Sequence, residues 1–283
     1  MSNQLGNLYV VATPIGNLED LTPRAQAVLT QAAFIAAEDT RHTGHLLQRF
    51  AIRTPLVALH EHNERHVAAG LVARIRGGES GALVSDAGTP LLSDPGYRLV
   101  QLAHEQGVRV IPVPGPCAAI AAVSVAGLPP DRIAFEGFPP EKTAARRRWF
   151  AALRDEPRTL VFYEAPHRVL ECLQDLVEAF GAERPATLAR ELTKQFETVR
   201  RATLGELAAW VAADENQQRG EIVLVVQGAP PVVSEGLDGE AERVLQLLLT
   251  ELSPSRAVAL AEAITGAAHK LLYRRALELT RPG

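Results

Sequence analysis

The sequence predicts an α/β protein with two α/β domains and a small helical appendage at its C-terminal end. Three observations favour this class. In the first half, short apolar runs alternate with stretches that have helical periodicity. Three of those runs are followed by loops rich in glycine and proline, at residues 13–20, 85–96 and 112–116. In the second half, two neighbouring strand-like segments are close enough in sequence to pair in an antiparallel manner.

The first predicted domain, residues 1–118, alternates strands with helices, and such βαβ units imply a mostly parallel sheet. Strands are expected at Leu8–Ala12, Phe34–Ala37, Pro55–Leu59, Ala82–Val84 and Val108–Val113. Helices are expected at Pro23–Ala33, Glu64–Arg76 and Pro95–Gln106, and a further helix is expected to begin at Pro116. Thr22, Asp94 and Gly115 each precede a proline, so we expect them to be helix N-caps.

The second predicted domain, residues 119–229, begins with two segments rich in proline and glycine that suggest a hinge, 127–130 and 138–140. Strands are expected at Thr159–Tyr163, Ala186–Leu192, Glu197–Leu204 and Glu221–Gln227, and helices at Pro166–Phe180 and in a short segment ending at Ala213. The close spacing of the second and third strands predicts a mixed sheet. Residues 230–239 are predicted to be a linker, and residues 240–283 a helical appendage.

The bulk composition excludes several classes of protein. The net charge of −4 gives no overall attraction to phosphate, so any contact with nucleic acid requires a local basic patch. Cys117 and Cys172 are too few for a disulfide framework, and we expect both to be small buried apolar residues. No apolar stretch reaches the ~20 residues of a membrane span, and the polar first residues do not resemble a signal peptide. A cytoplasmic protein is therefore expected.

The three glycine- and proline-rich loops predict a ligand-binding crevice. Each follows a strand of the predicted parallel sheet, and open α/β sheets bind ligands at the carboxyl ends of their strands. The chain lacks both the G-x-G-x-x-G dinucleotide motif and the G-x-x-x-x-G-K-[ST] phosphate loop. Gly16, Gly88, Gly96 and Gly115 would allow close approach of the backbone to a ligand, although glycines that only form tight turns would look the same.

Long runs between residues 8 and 228 resemble, in order, the tetrapyrrole (precorrin) methylase superfamily, in its ribosomal RNA small subunit methyltransferase I branch. The first-domain runs are Val10-Val-Ala-Thr-Pro-Ile-Gly-Asn-Leu-Glu-Asp-Leu-Thr22, Ala37-Glu-Asp-Thr-Arg41, Ser85-Asp-Ala-Gly-Thr-Pro90, Ser93-Asp-Pro-Gly-Tyr97 and Val113-Pro-Gly-Pro116. The second-domain runs are Phe135-Glu-Gly-Phe138, Phe162-Tyr-Glu-Ala-Pro-His-Arg168, Ala189-Arg-Glu-Leu-Thr-Lys194 and Arg219-Gly-Glu-Ile-Val-Leu224.

The resemblance implies that S-adenosylmethionine is the methyl donor and is bound in a cleft between the two α/β domains. It also implies a homodimer, and methyl transfer to the 2′-hydroxyl of a cytidine ribose in the decoding region of 16S ribosomal RNA. By position in the motifs, the residues expected to bind the donor are Pro14, Gly16, Asp86, Ala87, Gly88, Thr89, Ser93, Pro114, Gly115, Pro116, Cys117, Ala118 and Tyr163.

Two polar clusters are candidates for catalysis. A ribose hydroxyl is a weak nucleophile, so a general base or a polarising cation would help its attack. Glu38 and Asp39 follow a predicted buried strand and could accept the proton, while Arg41 could hold phosphate or lower a carboxylate pKa. The alternative is an ion pair that fixes the loop. Glu191 and Lys194 are second-domain candidates for the same chemistry, although Lys194 could simply bind phosphate.

A basic run and a histidine-rich loop are candidates for RNA binding. Residues 142–158 contain six basic and two acidic side chains, and Lys142, Arg146, Arg147 and Arg148 are accompanied by Trp149 and Phe150. Basic residues interleaved with aromatic ones suit an RNA surface, although a solvated helix face would look similar. His60 lies in a polar loop that we expect on the substrate side.

The same region raises the question of a metal site, because five of the eight histidines fall between residues 42 and 66. His62 and His66 are four residues apart and would share a helix face. No cysteine lies nearby and no third ligand stands out, so we expect no metal.

Two other functions compete with methylation of ribosomal RNA, whether as free RNA or in the assembled subunit. One is methylation of a tetrapyrrole ring by an enzyme of the same superfamily. The other is a non-catalytic module that binds RNA or a nucleotide.

Overall fold

A computed structural model describes residues 5–230, 237 and 239–280. The chain divides into two compact units, residues 1–229 and 230–283. The described part of the first unit contains two five-stranded sheets. None of the helices in the described part of the chain is long and apolar enough to cross a membrane.

The first sheet is entirely parallel, as predicted, with the strand order β3-β2-β4-β1-β5. Its strands are β1 (Asn7–Val11), β2 (Phe34–Ala37), β3 (Leu56–Ala58), β4 (Gly81–Val84) and β5 (Arg109–Val113). The helices that accompany it are α1 (Pro23–Gln31), α2 (Thr40–Arg49), α3 (Glu64–Arg76) and α4 (Tyr97–Glu105). Helix α2 is absent from the predicted set, because its sequence was interpreted as a polar cluster.

Both faces of the first sheet are covered, which explains why its strands are apolar runs without alternation. Leu8, Phe34 and Leu83 pack on one face with residues of α3 and α4. Ile35 and Val84 pack on the other face with residues of α1 and α2. This packing fixes the carboxyl ends of the strands, from which the site loops extend.

Of the three predicted N-caps, only Thr22 is confirmed. Its hydroxyl accepts a hydrogen bond from the Ala25 amide at 3.1 Å. Helix α4 begins at Tyr97 with Gly96 as N-cap, and the next helix, α5 (Ala118–Ala126), has Cys117 as N-cap. The predictions that Asp94 and Gly115 are N-caps are therefore wrong.

The first turn of α4 is capped by a carboxylate from another helix. Glu64 of α3 is almost fully buried, and its Oε1 accepts hydrogen bonds from the Arg98 amide at 2.8 Å and the Leu99 amide at 3.2 Å. Because the cap comes from Glu64, the Asp94 carboxylate is not needed at the helix end. The loop that holds it is irregular, with Leu91 and Ser93 both at positive φ.

The second sheet is mixed, as predicted, with the order β6-β7-β10-β8-β9. Its strands are β6 (Ile133–Gly137), β7 (Thr159–Glu164), β8 (Pro185–Arg190), β9 (Thr198–Thr203) and β10 (Ile222–Val226). Only the β6–β7 pair is parallel among the described pairings, and β8 pairs with β9 in the predicted antiparallel manner. Strand β6 lies between the two proline-rich segments that were interpreted as a hinge, so it is an addition to the predicted set.

Besides α5, the helices around this sheet are α6 (Thr143–Ala152), α7 (Val169–Phe180) and α8 (Leu204–Ala213). Side chains alternate between the two faces of the central strands, as strand geometry requires. Phe162 and Leu224 join the core that contains the buried residues of α7, including Cys172. Tyr163 and Val223 face the opposite way, toward α5, where Cys117 is only half-buried.

The second unit is helical, as predicted for the appendage. It contains α9 (Gly239–Glu251), α10 (Pro254–Thr265) and α11 (His269–Thr280), packed around Leu245, Ala257, Val258, Ala261, Leu272 and Ala276. Residues 281–283 of the predicted appendage, and residues 231–236 and 238 of the predicted linker, lie outside the described residues.

Candidate functional site

The three glycine- and proline-rich loops meet at the carboxyl edge of the first sheet, where β4, β1 and β5 are neighbours. Thr13 and Gly88 exchange backbone hydrogen bonds of 2.9 and 3.0 Å, which join the loop after β1 to the loop after β4. The Thr89 hydroxyl donates a hydrogen bond of 3.0 Å to the Pro116 carbonyl. The loops therefore form one bonded platform.

Replacing Gly88 by alanine is expected to lower the free energy of unfolding by about 1–2 kcal/mol, because Gly88 has φ +82° and side chains strain that conformation. A Cβ would also approach Ile15 Cγ2 to 3.3 Å. Gly107→Ala is the matched control, since Gly107 has φ +71° and no atom within 4 Å of an added Cβ. Urea unfolding of both variants separates backbone strain from the contact with Ile15. An unchanged stability of Gly88→Ala would contradict the prediction.

A cavity of about 470 Å³ opens beside this platform, between loops of the first sheet and the central strands of the second. A volume of this size is typical of small-molecule sites. The first half of the chain contributes Ile15, Glu38, Asp86, Ala87, Gly88, Thr89, Leu92, Ser93, Asp94 and Ala118. The second half contributes Phe138, Tyr163, Glu164, Ala165, Pro166, Ala189, Leu192, Gly220, Glu221, Ile222 and Val223.

The cavity brings together about half of the residues predicted to bind a donor. Asp86, Ala87, Gly88, Thr89, Ser93, Ala118 and Tyr163 line it, and so does Glu38 from the catalytic set. Pro14, Gly16, Pro114, Gly115, Pro116 and Cys117 lie in the same loops but are not among the lining residues. Their loops carry the lining residues, so they shape the platform.

Sequence reasoning missed several of the lining residues. The sequence predicts Asp94 to be a helix cap, whereas in the structure it lines the cavity. Phe138 and Glu221 lie in the runs that carry the family resemblance, and that was the only signal for them. The strand residues Ala189 and Val223 line the cavity because the two sheets face each other. No local sequence pattern predicts that arrangement of the sheets.

Of the five carboxylates that line the cavity in the described part of the chain, Glu164 and Glu221 are paired with basic side chains, and Glu38, Asp86 and Asp94 make one wall negative. Burial, assisted by repulsion from Asp86, raises the pKa of Asp94 to about 6, although a hydrogen bond with Ser85 opposes the rise. Burial, followed by repulsion from Asp86 and Asp94, also raises the pKa of Glu38. Asp86 is held in place, because its Oδ1 accepts a hydrogen bond of 3.0 Å from the Asp39 amide. A cationic ligand would relieve this repulsion.

The neighbouring candidates Asp39 and Arg41 lie at the start of α2. Asp39 is the N-cap of α2, where its Oδ1 accepts hydrogen bonds from the amides of Arg41 at 2.8 Å and His42 at 3.4 Å. These bonds lower the pKa of Asp39, so its carboxylate is a weak proton acceptor. The Arg41 side chain is 90% exposed and reaches Asp39 at 3.4 Å. This geometry is that of the loop-fixing ion pair.

Glu191 and Lys194 form an ion pair at the edge of the cavity. Glu191 Oε1 accepts hydrogen bonds from Lys194 Nζ at 2.8 Å and from the Glu221 amide at 2.9 Å. Burial opposes the charge of Glu191, but these bonds outweigh it and lower the pKa of Glu191. Burial likewise opposes the charge of Lys194, but its acidic partners outweigh it and raise the pKa of Lys194. Both groups stay charged, which suits a structural ion pair better than a group that takes up and releases a proton.

The Glu191–Lys194 ion pair connects the loop after β8 with the loop after β1. Glu191 and Thr193 have positive φ, so the backbone after β8 turns sharply there. The Lys194 stem then crosses Gly16, at which an added Cβ would overlap the lysine side chain. Gly16 is therefore required for this crossing.

Tyr163 is fixed in the cavity wall as a neutral phenol. Burial raises the pKa of Tyr163 to about 12. Its Oη accepts a hydrogen bond of 3.2 Å from the Ala119 amide at the start of α5. The ring packs edge-on against Phe135 at 4.9 Å and against Phe138 at 5.5 Å between centroids.

The predicted RNA-binding run divides into buried and exposed residues. Arg146 is 1% exposed, and its Nε lies 2.7 Å from Asp175 Oδ2, so it cannot reach RNA and the prediction for this residue is wrong. Helical periodicity turns Arg146 toward α7 together with the buried Phe150. Arg147 is half-exposed and paired with Asp175 and Glu178, at 2.7 and 3.0 Å.

Lys142 and Arg148 are exposed on α6 or just before it, and together with the exposed part of Arg147 they keep the open position that RNA binding would require. His60 is half-buried in the loop after β3, and its ring lies 6.0 Å from that of His62. Within the part of the chain that is described, no group of three histidine, cysteine, aspartate or glutamate side chains is arranged to hold a metal ion.

Comparisons with known proteins identify the family of this chain. Residues 7–208 match the model of the Tetrapyrrole (Corrin/Porphyrin) Methylases, and residues 235–280 match that of the RsmI C-terminal HTH domain. The protein called Ribosomal RNA small subunit methyltransferase I of Pseudomonas aeruginosa is 58% identical, over 96% of this chain and 97% of that relative. The protein of the same name of Escherichia coli O157:H7 is 54% identical, over 98% of this chain and 96% of the relative.

Solved structures share the fold at lower identity. A uroporphyrin-III-C-methyltransferase from Thermus thermophilus superposes with a TM-score of 0.56 at 24% identity, over 78% of this chain and 94% of that chain. The cobalt precorrin-4 methyltransferase CbiF superposes with a TM-score of 0.56 at 15% identity, over the same shares. The part of this chain left outside these superpositions is about a fifth.

Proposed function

This chain belongs to the tetrapyrrole (corrin/porphyrin) methylase family, in the ribosomal RNA small subunit methyltransferase I branch, and on that premise we propose its reaction. It transfers a methyl group from S-adenosylmethionine to the 2′-hydroxyl of a cytidine ribose in the decoding region of 16S ribosomal RNA. The observation that carries this proposal is the carboxylate-lined cavity at the carboxyl end of β4.

The charge of the cavity supports a cationic donor. S-adenosylmethionine carries its methyl group on a positively charged sulfonium, while the ammonium and the carboxylate of its methionine part offset each other. Glu38, Asp86 and Asp94 place negative charge in the cavity wall, and the raised pKa values of Glu38 and Asp94 reflect burial and mutual repulsion. The residues present therefore fit the donor, with the bonded loops of β1, β4 and β5 as its platform.

Asp94 is the residue that we assign as proton acceptor. Its pKa of about 6 leaves the carboxylate ionised at neutral pH, yet basic enough to take a proton. The bound donor would supply the methyl group and a positive charge that is lost on transfer, and a proton taken up by the Asp94 carboxylate would balance that loss. The hydroxyl loses its proton to the carboxylate as its oxygen forms the new bond to carbon.

The remaining polar residues position the reactants. The Glu191–Lys194–Glu221 cluster holds the loop after β8 against the loop after β1. In this proposal its function is to keep the cavity walls at a fixed spacing, which is how alignment of two reactants lowers a barrier. Lys142, Arg148 and His60 remain the proposed contacts to the RNA backbone, with Arg147 contributing through its exposed half.

The test is in vitro methylation with purified protein, S-adenosylmethionine and small-subunit RNA, followed by mapping of ribose methylation. We expect a single 2′-O-methylcytidine in the decoding region. Free RNA and assembled subunits are assayed in parallel to identify the substrate. Methylation of a base would overturn the ribose assignment, and transfer only to a tetrapyrrole would overturn the RNA substrate. Failure to bind the donor would leave the non-catalytic alternative.

We also propose that the protein works as a homodimer in the cytoplasm. Helix α5 contains no charged residue, and Ile120 and Val125 on it are 55% and 51% exposed. A second copy is the proposed cover for this apolar face. Light scattering should then give twice the chain mass of 30.5 kDa, and Ile120→Lys should shift the protein toward the monomer. A parental protein at the monomer mass would contradict the proposal.

A further inference from the structure

Phe138 stands out because it is a large apolar side chain left open to solvent in the wall of the cavity. It is 53% exposed, whereas the neighbouring lining residues Ile15, Ala189 and Val223 are at most 7% exposed. An apolar ring in a binding cavity that is not covered by the protein itself is available to a ligand.

A β-bulge at the end of β6 determines the position of the Phe138 ring. The pairing of β6 with β7 shifts register between Phe135 and Gly137, and Gly137 has φ +68°. A Cβ at Gly137 would lie 3.2 Å from the Ser93 hydroxyl, so the two halves of the site approach closely at this point. The bulge ends the strand and carries the next residue, Phe138, into the cavity wall.

The ring is supported from behind by a fixed aromatic neighbour. Tyr163 packs edge-on against Phe138, with centroids 5.5 Å apart and planes at 61°. Tyr163 is in turn held by Phe135 and by its hydrogen bond with the Ala119 amide. Such a contact restricts the motion of Phe138, and the ring is still 53% exposed. A supported and exposed aromatic face is what a nucleic-acid base stacks on.

We propose that Phe138 is the stacking surface for the base of the nucleotide whose ribose is methylated. This inference rests on the proposed function, because it takes a nucleotide of RNA to be the substrate. Placing a ribose hydroxyl inside a cavity requires the nucleotide to leave its neighbours in the strand, and its base then needs a new stacking partner.

The position of the ring favours the RNA base over the donor. In the proposed reaction the donor lies among the enclosed residues, next to the carboxylates and the bonded loops. The nucleotide stays attached to its strand and enters from solvent, which is the side on which Phe138 is open. Stacking also tolerates any base, so Phe138 would hold the nucleotide while other contacts select it.

The test compares Phe138→Ala with the parental protein in steady-state methylation of small-subunit RNA. We expect kcat/KM for RNA to fall by about tenfold to hundredfold, as loss of one stacked base implies. The dissociation constant for S-adenosylmethionine, measured by calorimetry without RNA, should stay within about twofold. Phe138→Trp keeps an aromatic face and should retain most of the parental kcat/KM.

Phe196→Ala is the matched control, because Phe196 is also exposed, at 65%, but does not line the cavity. It should leave both constants unchanged. A parental kcat/KM in Phe138→Ala would overturn the stacking role alone, and so would a weakened donor affinity, which would mean that the ring holds the donor. A parental protein that transfers no methyl group to RNA would instead overturn the proposed function and this inference with it.

Discussion

Replacing Arg146 by methionine is expected to lower the free energy of unfolding by about 3–5 kcal/mol. Arg146 is 1% exposed and Asp175 is 3% exposed, with 2.7 Å between Arg146 Nε and Asp175 Oδ2. Arg146 Nη1 also donates to the Glu141 carbonyl at 3.1 Å. Methionine fills much of the volume but leaves the buried charge of Asp175 with Arg147 as its one remaining ion-pair partner among the described residues. Urea unfolding measures the loss.

Two further variants identify the cause of this loss. Arg147→Met removes a half-exposed partner of the same carboxylate, and we expect a cost of less than about 1 kcal/mol. Arg146→Met combined with Asp175→Leu removes both buried charges, and much of the stability should return. If Arg146→Met were as stable as the parent, the pair would not hold α6 to α7. The RNA-binding assignment of Arg146 would then need reconsideration.

The parallel sheet and its crevice could be predicted because their signals are local. A buried strand is a short apolar run, and a loop with glycine and proline marks the point where it ends. Those signals predict the strands of the first sheet and all its helices except α2, and they predict Thr22 as a cap because that role depends only on residues three positions away.

Arg146 shows why a run of like charges is harder to interpret. Three consecutive arginines spread over about 200° of a helix surface, so one of them can face the core while its neighbours stay exposed. The signal was available in Phe150, which is four residues further on and lies on the same face. The partner that makes burial of Arg146 tolerable, Asp175, is 29 residues away and could not be identified from spacing.

The candidate site was predicted in outline but not in its details, for the same reason. Asp94 followed by Pro95 has the local form of a helix cap, and only the distant Glu64 makes that role unnecessary. The crossing of Lys194 over Gly16 joins residues 178 positions apart in the sequence. The sequence pattern predicts where the loops lie. Which side chains line the cavity depends on how the two sheets face each other, and this is not visible in the local sequence.

Asp94→Asn is expected to lower kcat for methyl transfer by on the order of 10²–10⁴, the usual contribution of a general base. The asparagine keeps the shape of the side chain but cannot take the hydroxyl proton. For the parental protein, kcat/KM should rise with pH and level off above about 6, because Asp94 accepts a proton only when it is ionised. Rapid-quench assays from pH 5 to 8 measure both effects.

The control for this experiment is Asp131→Asn, which changes an exposed aspartate outside the cavity and should leave the rate and the pH profile intact. Glu38→Gln provides the decisive comparison, because Glu38 faces the same cavity and its pKa is also raised. If Asp94→Asn kept the parental kcat while Glu38→Gln lost it together with the inflection, the proton acceptor would be Glu38. Asp94 would then act only through its charge, since the repulsion between these carboxylates lets either one take up a proton when the positive charge leaves the cavity.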